Sequence, residues 1–177
     1  MTNEKKLLIG YVASAALPSV SPEDARKMTH INVAFGYVKD SRVTVASTRN
    51  LDTLSKLRGY NPQLGLMLSL GGWGAGGFSE AAATAEGRQS LARTALDLLR
   101  EFELDGIDVD WEYPCYGVAN IASQPADKQN FTLLLGELRE ALDKQGELDG
   151  RHYLLTIATG ADQYYIDGTE MAEVEKY

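Results

Sequence analysis

The stretch "LDGIDVDWEYP", Leu104 to Pro114, decides how this chain is read. Asp108, Asp110 and Glu112 hold alternate positions, with Ile107, Val109 and Trp111 between them. A strand alternates its faces with period two, so the three carboxylates stand in a row on one side. Charge runs usually form solvated faces, but this one lies within a run that reads as buried. Burying three unpaired carboxylates is far too costly, so some of them must be protonated, paired or bound to a metal.

Four further β-rich runs share this character: "LLIGYVA" (7–13), "HINVAFGYV" (30–38), "LGLMLSLGG" (64–72) and "YLLTIATG" (153–160). Near-continuous apolar runs predict strands buried on both faces. Helical patterns lie between them. Ser21 reads as an N-cap, with Pro22 at the first helical position and acids in the first turn. A second helix runs from Asn50 to Gly59. Leu91, Ala95, Leu98, Leu99 and Phe102 form the apolar stripe of a third. Phe131, Leu134, Leu135, Leu138 and Leu142 form that of a fourth, ending before Gly146. Strand–helix alternation means parallel strands joined by right-handed crossovers, so the class is α/β. A hairpin, "VKDSRVTVAS", decorates the second unit, and no linker or repeat divides residues 1–177.

Two architectures fit five such units, an open doubly wound sheet and a closed barrel. Gly72 to Gly77 matches G-x-G-x-x-G after a strand, which speaks for a nucleotide-binding open sheet. Against it, the motif follows the third strand rather than the first, contains the bulky Trp73, and lacks an acid ending a strand about twenty residues on. In either architecture the loops at the C-terminal ends of the strands carry function.

Composition narrows the classes. With 44% hydrophobic residues in 177, the chain can bury a sizeable core. A net charge of −8 argues against nucleic acid or an anionic membrane surface as partner. No apolar run reaches the ~20 residues of a membrane helix. Cys115 is the single cysteine, which rules out an intrachain disulfide and leaves the compartment open. Lys5-Lys6, a short apolar run and Ala13-Ser14-Ala15 imitate a secretion signal. We read the segment as the first strand, so an exported protein would have its leader upstream.

For the acid row, a metal site competes with catalysis. Tyr113 stands where a calcium loop needs glycine, and His30 and His152 precede strands and fall at the wrong end for zinc. Catalysis uses the geometry better. Side chains two apart on a strand sit roughly 6.5–7 Å apart, close enough for like charges to push one pKa upward. Glu112 ends the row at the C-terminal side, where α/β sites open. The two aspartates would then serve to hold a proton on Glu112 as a general acid.

"DGIDVDWE" (105–112) resembles the D-G-x-D-x-D-x-E signature of family-18 glycoside hydrolases, the chitinase family. "SLGG" (69–72) is similar to that family's S-x-G-G on the preceding strand, and Trp111 favours chitinases over the related endo-N-acetylglucosaminidases. "KLLIGYV" and "INVAFGYV" resemble the family's first two strands, and the likeness to bacterial chitinases runs in register along the whole chain. The resemblance implies a (β/α)8 TIM barrel, of which residues 1–177 supply about the first five units as the N-terminal portion of one catalytic domain. It implies retaining, cofactor-free hydrolysis of β-1,4-linked N-acetylglucosamine in chitin or chito-oligosaccharides, with the substrate's own acetamide as nucleophile.

Carried over residue by residue, Glu112 protonates the glycosidic oxygen and then activates water. Asp110 holds the acetamide N–H and stabilises the oxazolinium intermediate. Asp108 shares its proton, with Tyr11 and Ser69 as polar neighbours, and Trp73 stacks on a sugar. Plainer roles stand beside these: core packing for Tyr11, a satisfied backbone group for Ser69, loop packing for Trp73. Trp111 reads as core between sheet and helices, and Cys115 as incidental. The departure is length, since a barrel needs eight units and typically ~250 residues. In the family, later strands carry a Tyr-Asp pair that orients the acetamide and a Trp beneath the cleaved sugar. Open edges would then favour self-association. A carbohydrate-binding relative without catalysis is the other reading, and an intact acid row speaks against it.

Overall fold

The computed structural model describes residues 6–177, so Lys5 of the signal-like Lys5-Lys6 pair lies outside the described residues. Five strands run parallel in the order β1 (Ile9–Ala13), β2 (His30–Lys39), β4 (Gly65–Gly71), β5 (Gly106–Asp110) and β6 (Leu154–Ile157). The short β3 (Arg42–Thr44) pairs antiparallel with the end of β2. Its two-residue turn places Asp40 and Ser41 at φ 50° and 55°, the left-handed twist that tight hairpins need.

Helices fill the crossovers: α1 (Pro22–Lys27), α2 (Thr53–Tyr60), α3 (Phe78–Ala82), α4 (Ala85–Glu101) and α5 (Asp127–Asp149), with α6 (Gln163–Gly168) and α7 (Met171–Val174) after β6. Ser21 caps α1 as its sequence predicts. Its hydroxyl accepts from the Asp24 N–H, and the Asp24 carboxylate accepts from the Ser21 N–H. The fourth predicted helix runs further than expected, through Gly146 to Asp149, with Gly150 as its left-handed cap. A Cβ at position 146 would lie 2.4 Å from the Arg151 carbonyl oxygen, so this glycine admits the returning chain rather than ending the helix.

Burial divides the strands. β2, β4 and β5 are buried along most of their length, with Ile31, Val33, Leu66, Leu68, Leu70, Ile107 and Val109 packed toward the helices. β1 and β6 are only partly covered, and Ile9 and Tyr11 are exposed. The expectation of full burial on both faces therefore fails at these two strands. Among the described residues each has one neighbour in the sheet, so one flank lies open.

Curvature distinguishes a barrel segment from a flat sheet. β1 and β5 stand three strand spacings apart, roughly 14 Å along a flat sheet. Yet the Tyr11 hydroxyl reaches Asp108 at 2.9 Å. The sheet must curl for these side chains to meet, as strands of a (β/α)8 barrel do.

Candidate active site

Register sets the site. Ser69, Asp108 and Thr156 are direct partners across β4, β5 and β6, so all three point to the concave face at one level. Asp108 is 1% exposed and its carboxyl group accepts hydrogen bonds from three hydroxyls. Its Oδ2 accepts from Tyr11 at 2.9 Å and Ser69 at 2.7 Å, and its Oδ1 accepts from Thr156 at 2.6 Å. Tyr11 and Ser69 thus serve the acid row, in place of core packing and a backbone partner. Burial and the Asp108 carboxylate together push the Tyr11 phenol up to about 12.

β5 ends at Asp110, two residues earlier than the acid pattern alone suggests. Trp111 anchors the chain just beyond the strand. It is buried, stacked on Phe78 at 5.4 Å and edge-on to Phe131 at 5.5 Å between centroids. That anchorage presents Glu112 on the first residue beyond the core, half-buried at the strand's C-terminal end. Gly72 N–H donates to the Asp110 carbonyl at 3.0 Å and ties the Ser69–Gly72 segment to the acid row.

Burial and the row's other carboxylates act together at Asp110. Burial first, then the charges of Glu112 and Asp108, push its carboxyl up to about 6. Within the row it is the middle acid whose protonated form burial and both neighbours favour. Asp110 has a carboxylate on each side and is half-buried, so its charged form is the one most opposed.

Aromatic rings line the mouth. Trp73 is 66% exposed, so packing does not explain it. Its ring meets Tyr113 edge-on at 6.4 Å, and Tyr113 meets Tyr165 of α6 at 6.0 Å. Partial burial and the neighbouring Glu112 carboxylate raise the Tyr113 hydroxyl. Thr156, Tyr113 and Tyr165 were not singled out from sequence. Thr156 gains its role only through its register with Asp108, and Tyr165 sits in a short helix with no apolar period to mark it.

The glycine-rich loop has a packing explanation. Gly77 has φ 96°, and a Cβ there would lie 2.4 Å from the Val38 carbonyl oxygen. The helix it opens, α3, is one turn long. Cys115 stays outside the acid row, its thiol raised by burial and loosely set against the Pro125 and Gly168 carbonyls. Among the described residues no group of three or more His, Cys, Asp and Glu is arranged to hold a metal ion. No helix among them is long and apolar enough to cross a membrane.

Residues 7–177 match the family model described as glycosyl hydrolases family 18. Chitinase A1 of Niallia circulans is 47% identical over 127 residues, covering 71% of this chain and 18% of that protein. Chitotriosidase-1 of Mus musculus is 31% identical over 150 residues, covering 81% of this chain and 32% of that protein. Among solved structures, a family-18 N-acetylglucosaminidase from Paenibacillus barengoltzii superimposes with a TM-score of 0.94 at 57% identity, covering 97% of this chain and 51% of its own. A multi-modular chitinase from Paenibacillus sp. str. FPU-7 gives 0.89 at 40% identity, covering 97% and 17%. The chain therefore spans about half of the first structure and a third or less of these curated relatives. With its family model matched from Leu7 to the last residue and its five parallel strands superimposed on part of a (β/α)8 barrel, this chain belongs to family 18 of the glycosyl hydrolases.

Proposed function

We propose that residues 1–177 supply the proton-donating part of a retaining chitinase-type site, as the first five units of one catalytic barrel. The observation that carries this is the division of labour along the acid row. Asp108 is buried and hydrogen-bonded by three hydroxyls, Asp110 is raised to about 6, and Glu112 stands at the open end. In this reading Glu112 protonates the departing glycosidic oxygen. The acetamide oxygen of the sugar attacks the anomeric carbon, and Asp110 holds its N–H and faces the oxazolinium charge. Glu112 then takes a proton from the water that opens the intermediate. No cofactor enters the scheme. Trp73 offers an exposed ring to the apolar face of a pyranose of chitin or a chito-oligosaccharide. The unpaired flanks of β1 and β6 invite further polypeptide, a second copy included.

In a protein carrying a complete barrel, Glu112→Gln should keep oligosaccharide binding and lower turnover by ~10²–10⁴. Turnover within a few-fold of the parent would remove Glu112 from the mechanism. Early product anomers followed by NMR should be β, and an α product would exclude the substrate-assisted scheme. A second reading concerns product size, since the solved relative at 57% identity is described as an N-acetylglucosaminidase. Release of single sugars from chito-oligosaccharides would favour that activity, and release of dimers or longer pieces a chitinase.

A further inference from the structure

The three hydroxyls around Asp108 are unevenly divided. Oδ2 takes two hydrogen bonds, from Tyr11 and Ser69, whereas Oδ1 takes one, from Thr156. A carboxylate oxygen offers about two acceptor sites. Oδ2 is thus filled, and a proton arriving at Asp108 has its seat on Oδ1, beside Thr156. The hydrolytic scheme makes no use of Thr156, although it is the direct partner of Asp108 in the sheet register.

We propose that Thr156 is a positioning residue that sets which aspartate holds the shared proton, keeping it on Asp110 in the resting site. The inference deepens the hydrolase reading and rests on it. Donation from Thr156 Oγ1 favours the ionised form of Asp108, because a hydrogen bond to a charged carboxylate is strong and is weakened when that oxygen is protonated. A negative Asp108 then leaves the proton with its neighbour. A proton seated on Asp108 Oδ1 would find the threonine hydroxyl rotated from donor to acceptor, so neither protonation state orphans a buried group. Valine would fill the same space on β6 and offer neither function.

The titratable groups facing the two aspartates are Tyr11 on β1, Glu112 and Tyr113 beyond β5, and Tyr165 on α6, while β4 and β6 contribute the hydroxyls of Ser69 and Thr156. All remain in place when only Thr156 is changed. The test is a ¹³C-carboxyl NMR titration of Asp110 in the 177-residue chain, with the resonance assigned by its loss in Asp110→Asn. The parent should titrate near 6. Thr156→Val should lower the Asp110 midpoint by roughly half a pH unit or more, as Asp108 competes for the proton. Thr156→Ser should restore the parent midpoint, and Thr156→Cys, a weaker donor of similar shape, should fall between. A purely structural role would lower the melting temperature and leave the midpoint alone, so a parental midpoint in Thr156→Val overturns the proposal. If the valine variant does not fold, the cysteine variant carries the test, and a parental midpoint there has the same force. No hydrolysis is read, so loss of the Glu112 mechanism and loss of this inference are separate outcomes.

Discussion

Asp110 carries a stability cost set by its place in the acid row. Its carboxyl is raised from 3.8 to about 6 in the fold by burial and by its two acidic neighbours. Between those values the folded chain binds more protons than the unfolded one, so this group's contribution falls as pH rises through the window. Above about 6 the full penalty persists. The shift alone corresponds to ~3 kcal/mol, of which solvent screening at a half-buried side chain leaves about 1 kcal/mol. Asp110→Asn should therefore stabilise the chain by about 1 kcal/mol near pH 7.5 and by nothing near pH 4, while lowering turnover in a complete enzyme. Paired urea melts at the two pH values measure this, and an equal effect at both would show that the raised proton is not the cause. Trp73 makes the opposite case, a large ring left exposed at the mouth. Trp73→Ala should weaken binding of longer chito-oligosaccharides more than short ones, with little change in melting temperature. Equal loss at every length together with a lower melting temperature would return Trp73 to a packing role.

The elements show why one aspartate of the "DGIDVDWE" stretch stands apart from the other two. Asp105 lies just before β5, at the end of the sheet away from the acid row, and accepts from the Leu66 N–H at 2.8 Å and from Arg58 at 2.8 Å. Arg151 binds its other oxygen, and its carbonyl accepts from the Leu154 N–H. One residue thus staples the N-terminal ends of β4, β5 and β6. Burial works against its charge, but these donors outweigh it and hold its carboxyl below the usual range. Its stabilising effect is present above the unfolded-state pKa and is lost as pH falls through the lowered one. Asp105→Asn should cost about 2 kcal/mol at neutral pH, because two arginines lose their counter-charge in a partly buried place. Urea melts at pH 7 should show this with the Asp110 titration unchanged, and a shifted Asp110 midpoint would mean that the staple also sets the site. Period two was enough to place Asp108 and Asp110 on one face, and capping chemistry was enough for α1. The Asp105 staple was not legible, because Arg58 and Arg151 come from distant segments. Nor was Thr156, since a hydroxyl on an apolar strand acquires meaning only through register with Asp108. The extension of α5 past Gly146 escaped for a similar reason: a glycine that admits a crossing chain looks, in one dimension, like a helix stop.

At the scale of the whole molecule, apolar surface and unpaired backbone are concentrated on the flanks of the sheet. Leu7, Leu8, Ile9 and Tyr11 are exposed along the β1 side. Beside β6, Leu155, Ile157, Leu135, Met171, Val174 and Tyr177 line a groove of about 370 Å³. The alternation of strands and helices made the parallel architecture legible, but it assigned β1 and β6 the burial of inner strands. Burial at those positions depends on what lies beside them, which no pattern within a strand records. Open strand edges and contiguous apolar patches recruit other chains. The 177-residue chain taken alone should therefore form dimers or larger assemblies at micromolar concentration, with an apparent mass that rises with concentration in light scattering. It should also turn over a chromogenic chito-oligosaccharide negligibly. Glu112 and Asp110 are in place, but the concave face beyond β6 offers no further strand to orient the acetamide among the described residues. Adding charge to the β1 flank, as in Ile9→Lys, should shift the population toward monomer without restoring activity, because it blocks an edge and supplies no part of the substrate site. A chain that stays monomeric and hydrolyses substrate at the rate of a full barrel would show that five units suffice both to close the fold and to hold the sugar.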